Sequence, residues 1–128
     1  MTEGCLFCDL DKNNDREILF SSERLVAVWD AFPVTPGHIL IISKKHRNDF
    51  FELEGTEYHE LQGMILRARE FIKNEGKSPD GYNIGMNCNE AAGQTIMHFH
   101  CHVIPRYRGD TMKPRGGVRH CVAGKGIY

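Results

Sequence analysis

Residues 24–30 read Arg-Leu-Val-Ala-Val-Trp-Asp, a run of strand formers that stops at Ala31-Phe32-Pro33. Val34-Thr35-Pro36-Gly37 is turn chemistry, with Pro36-Gly37 marking a tight reversal. Residues 38–43 form a near-continuous apolar run, Ile39-Leu40-Ile41-Ile42 at its centre, which fits a strand buried on both faces. Leu61, Met64, Ile65, Ala68, Phe71 and Ile72 then recur at helical spacing. Thr56 is placed to cap that helix, and Gly76 and Pro79 to end it. Alternation by twos returns over residues 81–87, setting Tyr82, Ile84 and Met86 on one face. After a polar loop at residues 89–93, His98, His100 and His102 alternate with Met97, Phe99, Cys101 and Val103. Read as a strand, that segment turns four apolar side chains into a core and three imidazoles to the other face. Strands, one long helix, then strands predict an α+β fold, a largely antiparallel sheet with one principal helix packed on it.

Composition narrows the function classes. A chain of 128 residues, 41% apolar and 26% charged, is expected to form one domain with a real core. A net charge of -1 carries no electrostatic footprint for nucleic acid. Nothing in the sequence is long and apolar enough to span a membrane. The opening Met-Thr-Glu-Gly-Cys lacks the basic start and apolar region of a signal peptide. Five unevenly spaced cysteines argue against a disulfide framework, so the cytoplasm is the expected compartment.

Imidazole titrates near neutral pH and serves as nucleophile, proton carrier or metal ligand. Spacing alone leaves a metal triad and a nucleophile site both open, with a solvent-facing strand edge as the plain alternative. The neighbours favour anion handling. Gly93-Gln94-Thr95 offers flexible backbone, an amide and a hydroxyl for phosphate oxygens, and no carboxylate lies close enough in sequence to complete a catalytic metal site.

His98-Phe99-His100-Cys101-His102-Val103-Ile104 resembles the signature of the histidine triad (HIT) family of nucleotide hydrolases and transferases. Asp30 and residues 36–46 resemble that family's earlier strand pair, and residues 83–87 with 90–95 its nucleotide-contacting strand and loop. The likeness spans roughly residues 5–110. Ala92-Gly93-Gln94-Thr95, Ile104-Pro105-Arg106 and the tail Pro114-Arg115-Gly116-Gly117-Val118-Arg119 are similar to the branch that cleaves dinucleoside polyphosphates such as diadenosine tetraphosphate. The resemblance implies a HIT-like five-stranded sheet with one principal helix and a shorter helix or turn. It also implies a HIT domain over residues 1–110, carrying an N-terminal zinc-binding segment, and a basic tail, residues 111–128, packed on or near the active site.

By the same resemblance His100 attacks the α-phosphorus and forms a covalent nucleotidyl-imidazole, which water cleaves. His102 would bind non-bridging oxygens as charge develops. Asp30 would accept from the ribose hydroxyls, Asn87 would contact the phosphate chain, and Gln94 and Thr95 would add polar contacts. His38 would support the triad from behind. Each has a plainer alternative: Asp30 capping a turn, Asn87 and Thr95 as strand-end polar groups, His38 as a satisfied core histidine. Phosphoramidate hydrolysis, nucleotidyl transfer or phosphorolysis, and a nucleotide-sensing module without chemistry all remain compatible. A nucleotide is the expected ligand and a homodimer the expected assembly; nothing in the sequence sets a requirement for Mg²⁺.

Cys5-Leu6-Phe7-Cys8 is ambiguous between zinc, redox and chance, but a thioredoxin-like reading needs a preceding strand that four residues cannot supply. Two further ligands could come from His46 and His98, as in some HIT branches, giving a structural zinc and removing His98 from acid–base work. The plain alternative for His46 is a solvated cation in Lys-Lys-His-Arg. Beyond Asp110 the tail carries Lys113, Arg115, Arg119 and Lys125 and no acid. Arg115 and Arg119 are expected to meet the polyphosphate, against the alternative of a solvated end.

Overall fold

The computed structural model describes residues 5–10 and 16–128. Residues 1–4, read above for a leader, lie outside the described residues. Five strands form one antiparallel sheet: β1 (Ile18–Ser21), β2 (Leu25–Trp29), β3 (Ile39–Ser43), β4 (Gly81–Gly85) and β5 (His100–Arg106), in spatial order β1-β2-β3-β5-β4. A single helix, α1 (Gly55–Asn74), joins the two halves, with short 3-10 turns at Phe50–Glu52, Glu90–Ala92 and Gly117–Cys121. No helix among the described residues is long and apolar enough to cross a membrane.

Strand β3 is buried throughout, as its unbroken apolar run requires. Ile39 and Ile41 turn toward α1 with Leu25, Ala27, Met64, Ala68, Ile72, Phe99, Cys101 and Val103. Leu40 and Ile42 turn the other way and pack with Val26, Val28, Phe7 and Leu10. The sheet is therefore covered twice, by the helix on one face and by the N-terminal segment on the other. Pairing of Leu40 with His102 and of Ile42 with His100 puts both histidines on the face that carries Phe7.

The helix cap lies two residues before the expected one. Glu54, extended at φ -99°, is the cap; its N–H donates to Glu57 Oε1 at 2.7 Å, so Thr56 falls inside the first turn. Glu57 is buried because Arg47 Nε donates to both its oxygens at 3.1 and 3.2 Å, fastening the segment after β3 to the helix. The turn before β3 depends on Gly37 at φ +94°, where a Cβ would meet Lys77 Cδ at 3.0 Å and Pro105 Cγ at 3.2 Å.

Two alternation readings stop short. Met97 is 37% exposed and outside the core, because sheet pairing starts only at His100; the Phe99 N–H donates instead to the Arg47 carbonyl. Ile84 shares the helix-facing side with Tyr82 but is 45% exposed: α1 lies mainly over β2, β3 and β5, and of this pair on edge strand β4 only Tyr82 packs against the core.

Candidate active site and Cys2His2 cluster

Histidines 100 and 102 project from β5, and His98 precedes it in a bend. The His100 Nδ1–H donates to the His98 carbonyl at 2.8 Å. A carbonyl only accepts, so in the neutral ring the Nδ1 proton is fixed and Nε2 keeps its lone pair. A second chain of contacts orders the other pair. The Val34 N–H donates to His38 Nδ1 at 3.0 Å, which puts the proton of neutral His38 on Nε2. That nitrogen lies 2.9 Å from His102 Nδ1 and 3.3 Å from Asp30 Oδ2. With His38 donating, His102 accepts at Nδ1 and holds its own proton on Nε2. The two triad rings on β5 therefore present opposite faces of imidazole chemistry: a lone pair on His100 and an N–H on His102.

Burial dominates the electrostatics. It pushes His102 down to about 4, with repulsion from His100 and His38 adding to it and Asp30 opposing. Burial also lowers His38, against the pull of Asp30, and lowers His98. Near pH 7 these rings are neutral, as the hydrogen-bond chain requires. Asp30 does two things: Oδ1 accepts from the Phe32 N–H at 2.8 Å, capping the turn, while Oδ2 faces the histidines.

Asp30, His38 and His102 border a cleft of about 1040 Å³; His100, two residues before His102 on the same face of β5, lies off its lining. Asp30, His38 and His102 form its polar floor, Asn87 lies on its wall, and Phe32, Val34 and Ile104 supply apolar surface. The loop 90–93 and the tail residues Gly117, Val118, Cys121 and Val122 close other sides. A polar floor beside apolar walls suits a ligand with a flat ring and a charged chain.

Beside this cleft, Cys5, Cys8, His46 and His98 bring one donor atom each within 4.8 Å of one another. Cys8 Sγ is 3.1 Å from His46 Nδ1 and 3.3 Å from His98 Nδ1, and Cys5 Sγ is 3.4 Å from His98 Nδ1. Both rings are turned for metal binding. His98 Nε2–H donates to the Ser43 carbonyl at 2.7 Å and His46 Nε2–H to Asn48 Oδ1 at 3.0 Å, leaving each Nδ1 bare toward the sulfurs. Tetrahedral zinc with bonds of about 2.0–2.3 Å sets its ligand atoms roughly 3.6 Å apart, close to the spacing present. Burial and the neighbouring Cys5 push the Cys8 thiol up to about 11, so two ionised sulfurs here call for a cation. The residues fit zinc.

A family profile described as "HIT domain" matches residues 11–109. The chain belongs to the histidine triad family. An uncharacterized HIT-like protein of Mycoplasma genitalium is 38% identical over 110 residues, covering 83% of this chain and 75% of that protein. An AP-4-A phosphorylase of Mycobacterium tuberculosis is 30% identical over 107 residues, covering 81% of this chain but 54% of the phosphorylase. Among solved structures, a Zn-bound histidine triad family protein from Mycobacterium smegmatis superposes with a TM-score of 0.72 at 31% identity, covering 88% of this chain and 82% of that one.

Within this HIT domain, some residues expected at the ligand have other engagements. Gln94 is 4% exposed; its amide donates to the Asn48 and Ile96 carbonyls at 2.5 and 3.0 Å, and its oxygen accepts from the Asn89 N–H at 2.7 Å. It holds the loop 89–95 together and has no side-chain polar group left for phosphate. Thr95 is exposed and not among the cleft's lining residues. Arg115 and Arg119 also lie off that lining; their guanidiniums stack on the Tyr128 ring at 5.0 and 4.5 Å. Sequence reading assigned no role to Phe7, whose ring meets His100, or to Tyr128, which gathers the tail's arginines. The first carried a signal, an aromatic inside the C-x-x-C; the second carried none.

Proposed function

We propose that this HIT protein binds nucleotides and cleaves dinucleoside polyphosphates, diadenosine tetraphosphate as the type, at an α-phosphorus through a covalent intermediate on His100. The observation that carries the reading is the His100 Nδ1–H held on the His98 carbonyl, which keeps the Nε2 lone pair free for attack. In the first step an N–P bond forms at Nε2 while the bond from phosphorus to the bridging oxygen breaks, and the polyphosphate leaves. His102, holding its proton on Nε2, donates to phosphate oxygens as charge builds there. In the second step a water oxygen attacks phosphorus and gives up a proton to solvent, the N–P bond breaks with its electron pair returning to Nε2, and the mononucleotide leaves with His100 restored. Asp30 and Asn87, both on the cleft, are assigned to the ribose and the phosphate chain. Gln94 acts through the loop it holds, and the tail through its apolar side chains.

A second reading has its own support. The similarity to an AP-4-A phosphorylase makes inorganic phosphate a candidate second acceptor, with the same first step. Phosphorus NMR of products from diadenosine tetraphosphate, with and without phosphate, separates the two. AMP and ATP in phosphate-free buffer support hydrolysis; ADP and ATP formed only with phosphate support phosphorolysis. Two ADP from phosphate-free buffer would exclude attack at the α-phosphorus. Turnover retained by His100→Ala would exclude His100 as nucleophile.

Zinc is assigned to Cys5, Cys8, His46 and His98, where four protein ligands make it structural and fasten the N-terminal segment to the bend that leads into β5. Elemental analysis is expected to find one zinc per chain, lost in Cys5→Ser and Cys8→Ser. The uncovered edge of β4 with its exposed Ile84 supports a homodimer, and five free cysteines support a cytoplasmic setting.

A further inference from the structure

Phe7 stands between the two cysteines of the Cys2His2 cluster, and its side chain is 4% exposed. It packs with Leu10, Val26, Val28, Leu40 and Ile42 on the histidine-bearing face of the sheet, away from the helix. Among these aliphatic neighbours a leucine would fill similar space. What the aromatic ring adds is directional contact with two histidines. Its ring meets His100 edge-on, centroids 5.1 Å apart and planes at 72°, and meets His98 at 5.9 Å and 88°. Rings in T-shaped contact set a positive edge against a negative face, so the pair resists both sliding and tilting.

The His100 ring has one hydrogen bond among the described residues, to the His98 carbonyl. That bond fixes the position of Nδ1 but leaves the ring plane able to rock about it. The direction of the Nε2 lone pair follows the plane, and attack on phosphorus depends on that direction. Phe7 supplies one further point of support, and the His102 ring, edge-on at 5.3 Å and 70°, another. We propose that Phe7 is a positioning residue for His100, a wedge carried by the cysteine loop that holds the imidazole plane in its attacking orientation.

The inference rests on the reading of His100 as nucleophile. It gives the Cys2His2 cluster a part in the chemistry beyond stability. Cys5 and Cys8 flank the wedge, and His98 supplies both a ring contact to Phe7 and the carbonyl that holds His100. Two contacts thus reach the reacting ring from this loop and its cluster, the Phe7 edge and the His98 carbonyl.

The test is Phe7→Leu, with Phe7→Met as a second, unbranched replacement, in the full chain loaded with zinc. Steady-state turnover of diadenosine tetraphosphate is expected to show kcat about threefold to tenfold lower with KM unchanged, the size of an aromatic pair contact. Bound zinc and melting temperature should stay close to wild type. In NMR spectra of free protein with labelled histidine, the His100 ring signals should lose the ring-current shift of Phe7 and broaden as the plane becomes mobile. Wild-type kcat with unchanged His100 signals in both variants would overturn the wedge while leaving the nucleophile reading intact. A loss of kcat that tracks lost zinc in proportion would also overturn it, assigning the effect to the metal alone. Turnover surviving in His100→Ala would remove the nucleophile reading and the proposal together, whatever the Phe7 spectra show.

Discussion

His102 takes a proton far less readily in the fold than in a free chain, because burial penalises its charged form and His100 and His38 repel it. In the unfolded chain the ring would protonate near ~6.5, whereas in the fold it stays neutral down to about 4. Between those values the unfolded state binds more protons, so stability falls as pH falls. The full shift corresponds to roughly 3 kcal/mol, of which about 2 kcal/mol is gone by about pH 5. Urea unfolding of wild type and His102→Asn, run at matched zinc from about pH 7 to about pH 5, should show the wild-type curve dropping more steeply by about that amount. A pH-independent gap between them would remove the burial argument. Gln94 yields a prediction of a different kind. Its amide makes three hydrogen bonds, two near at hand with Asn89 and Ile96 and one to Asn48 beyond β3, so Gln94→Ala should cost stability, about 1–3 kcal/mol in unfolding experiments. A variant with undiminished stability but a raised KM would return Gln94 to the phosphate.

Among the elements, the turn that feeds β3 is the most sensitive to a single methyl group. Gly37→Ala would force a side chain into left-handed backbone and press its Cβ on Lys77 Cδ and Pro105 Cγ at 3.0 and 3.2 Å. Lys77 Cδ can swing away, but the proline ring closing β5 cannot, so a loss of about 1–3 kcal/mol is expected in urea unfolding. That turn was readable from Pro36-Gly37, as were β2, β3 and α1, because each carries an unbroken period of its own. Strand β1 has only four residues, mostly partly exposed, and a register shift in its pairing with β2, so no alternation announces it; the fifth strand came from family resemblance. The helix start was misplaced because a hydroxyl at Thr56 looks like a cap, whereas Glu57 reaching back to the Glu54 N–H decides it. Alternation carried the three histidines correctly to one neighbourhood, but it could not say that pairing begins at His100, which is why Met97 lies outside the core.

Across the whole molecule the cleft is built from pieces of unequal strength. Its floor belongs to the doubly covered sheet, while one wall is the tail, no residue of which belongs to either apolar cluster. The tail is held by local contacts. Arg115 and Arg119 stack on Tyr128, Arg119 Nε donates to the Gly126 carbonyl at 3.4 Å, and His120 Nε2 donates to the Arg115 carbonyl at 2.8 Å. Charge alone made these arginines look like phosphate ligands, since nothing in the spacing of residues 111–128 shows that Tyr128 returns to meet them. If the stack holds the wall closed, Tyr128→Ala should loosen residues 114–128 without weakening the core. Trypsin then has three sites within the loosened segment, after Arg115, Arg119 and Lys125. Limited proteolysis of the variant is expected to cut there several-fold faster than in wild type, with unfolding free energy changed by no more than about 0.5 kcal/mol. Nucleotide present at saturation should slow those cuts, because the cleft assigned to it is walled by Val118 and Val122. Equal cutting rates in variant and wild type would mean the tail is fastened through Val118 and Val122 on the cleft, and that the arginine stack merely decorates a wall already closed.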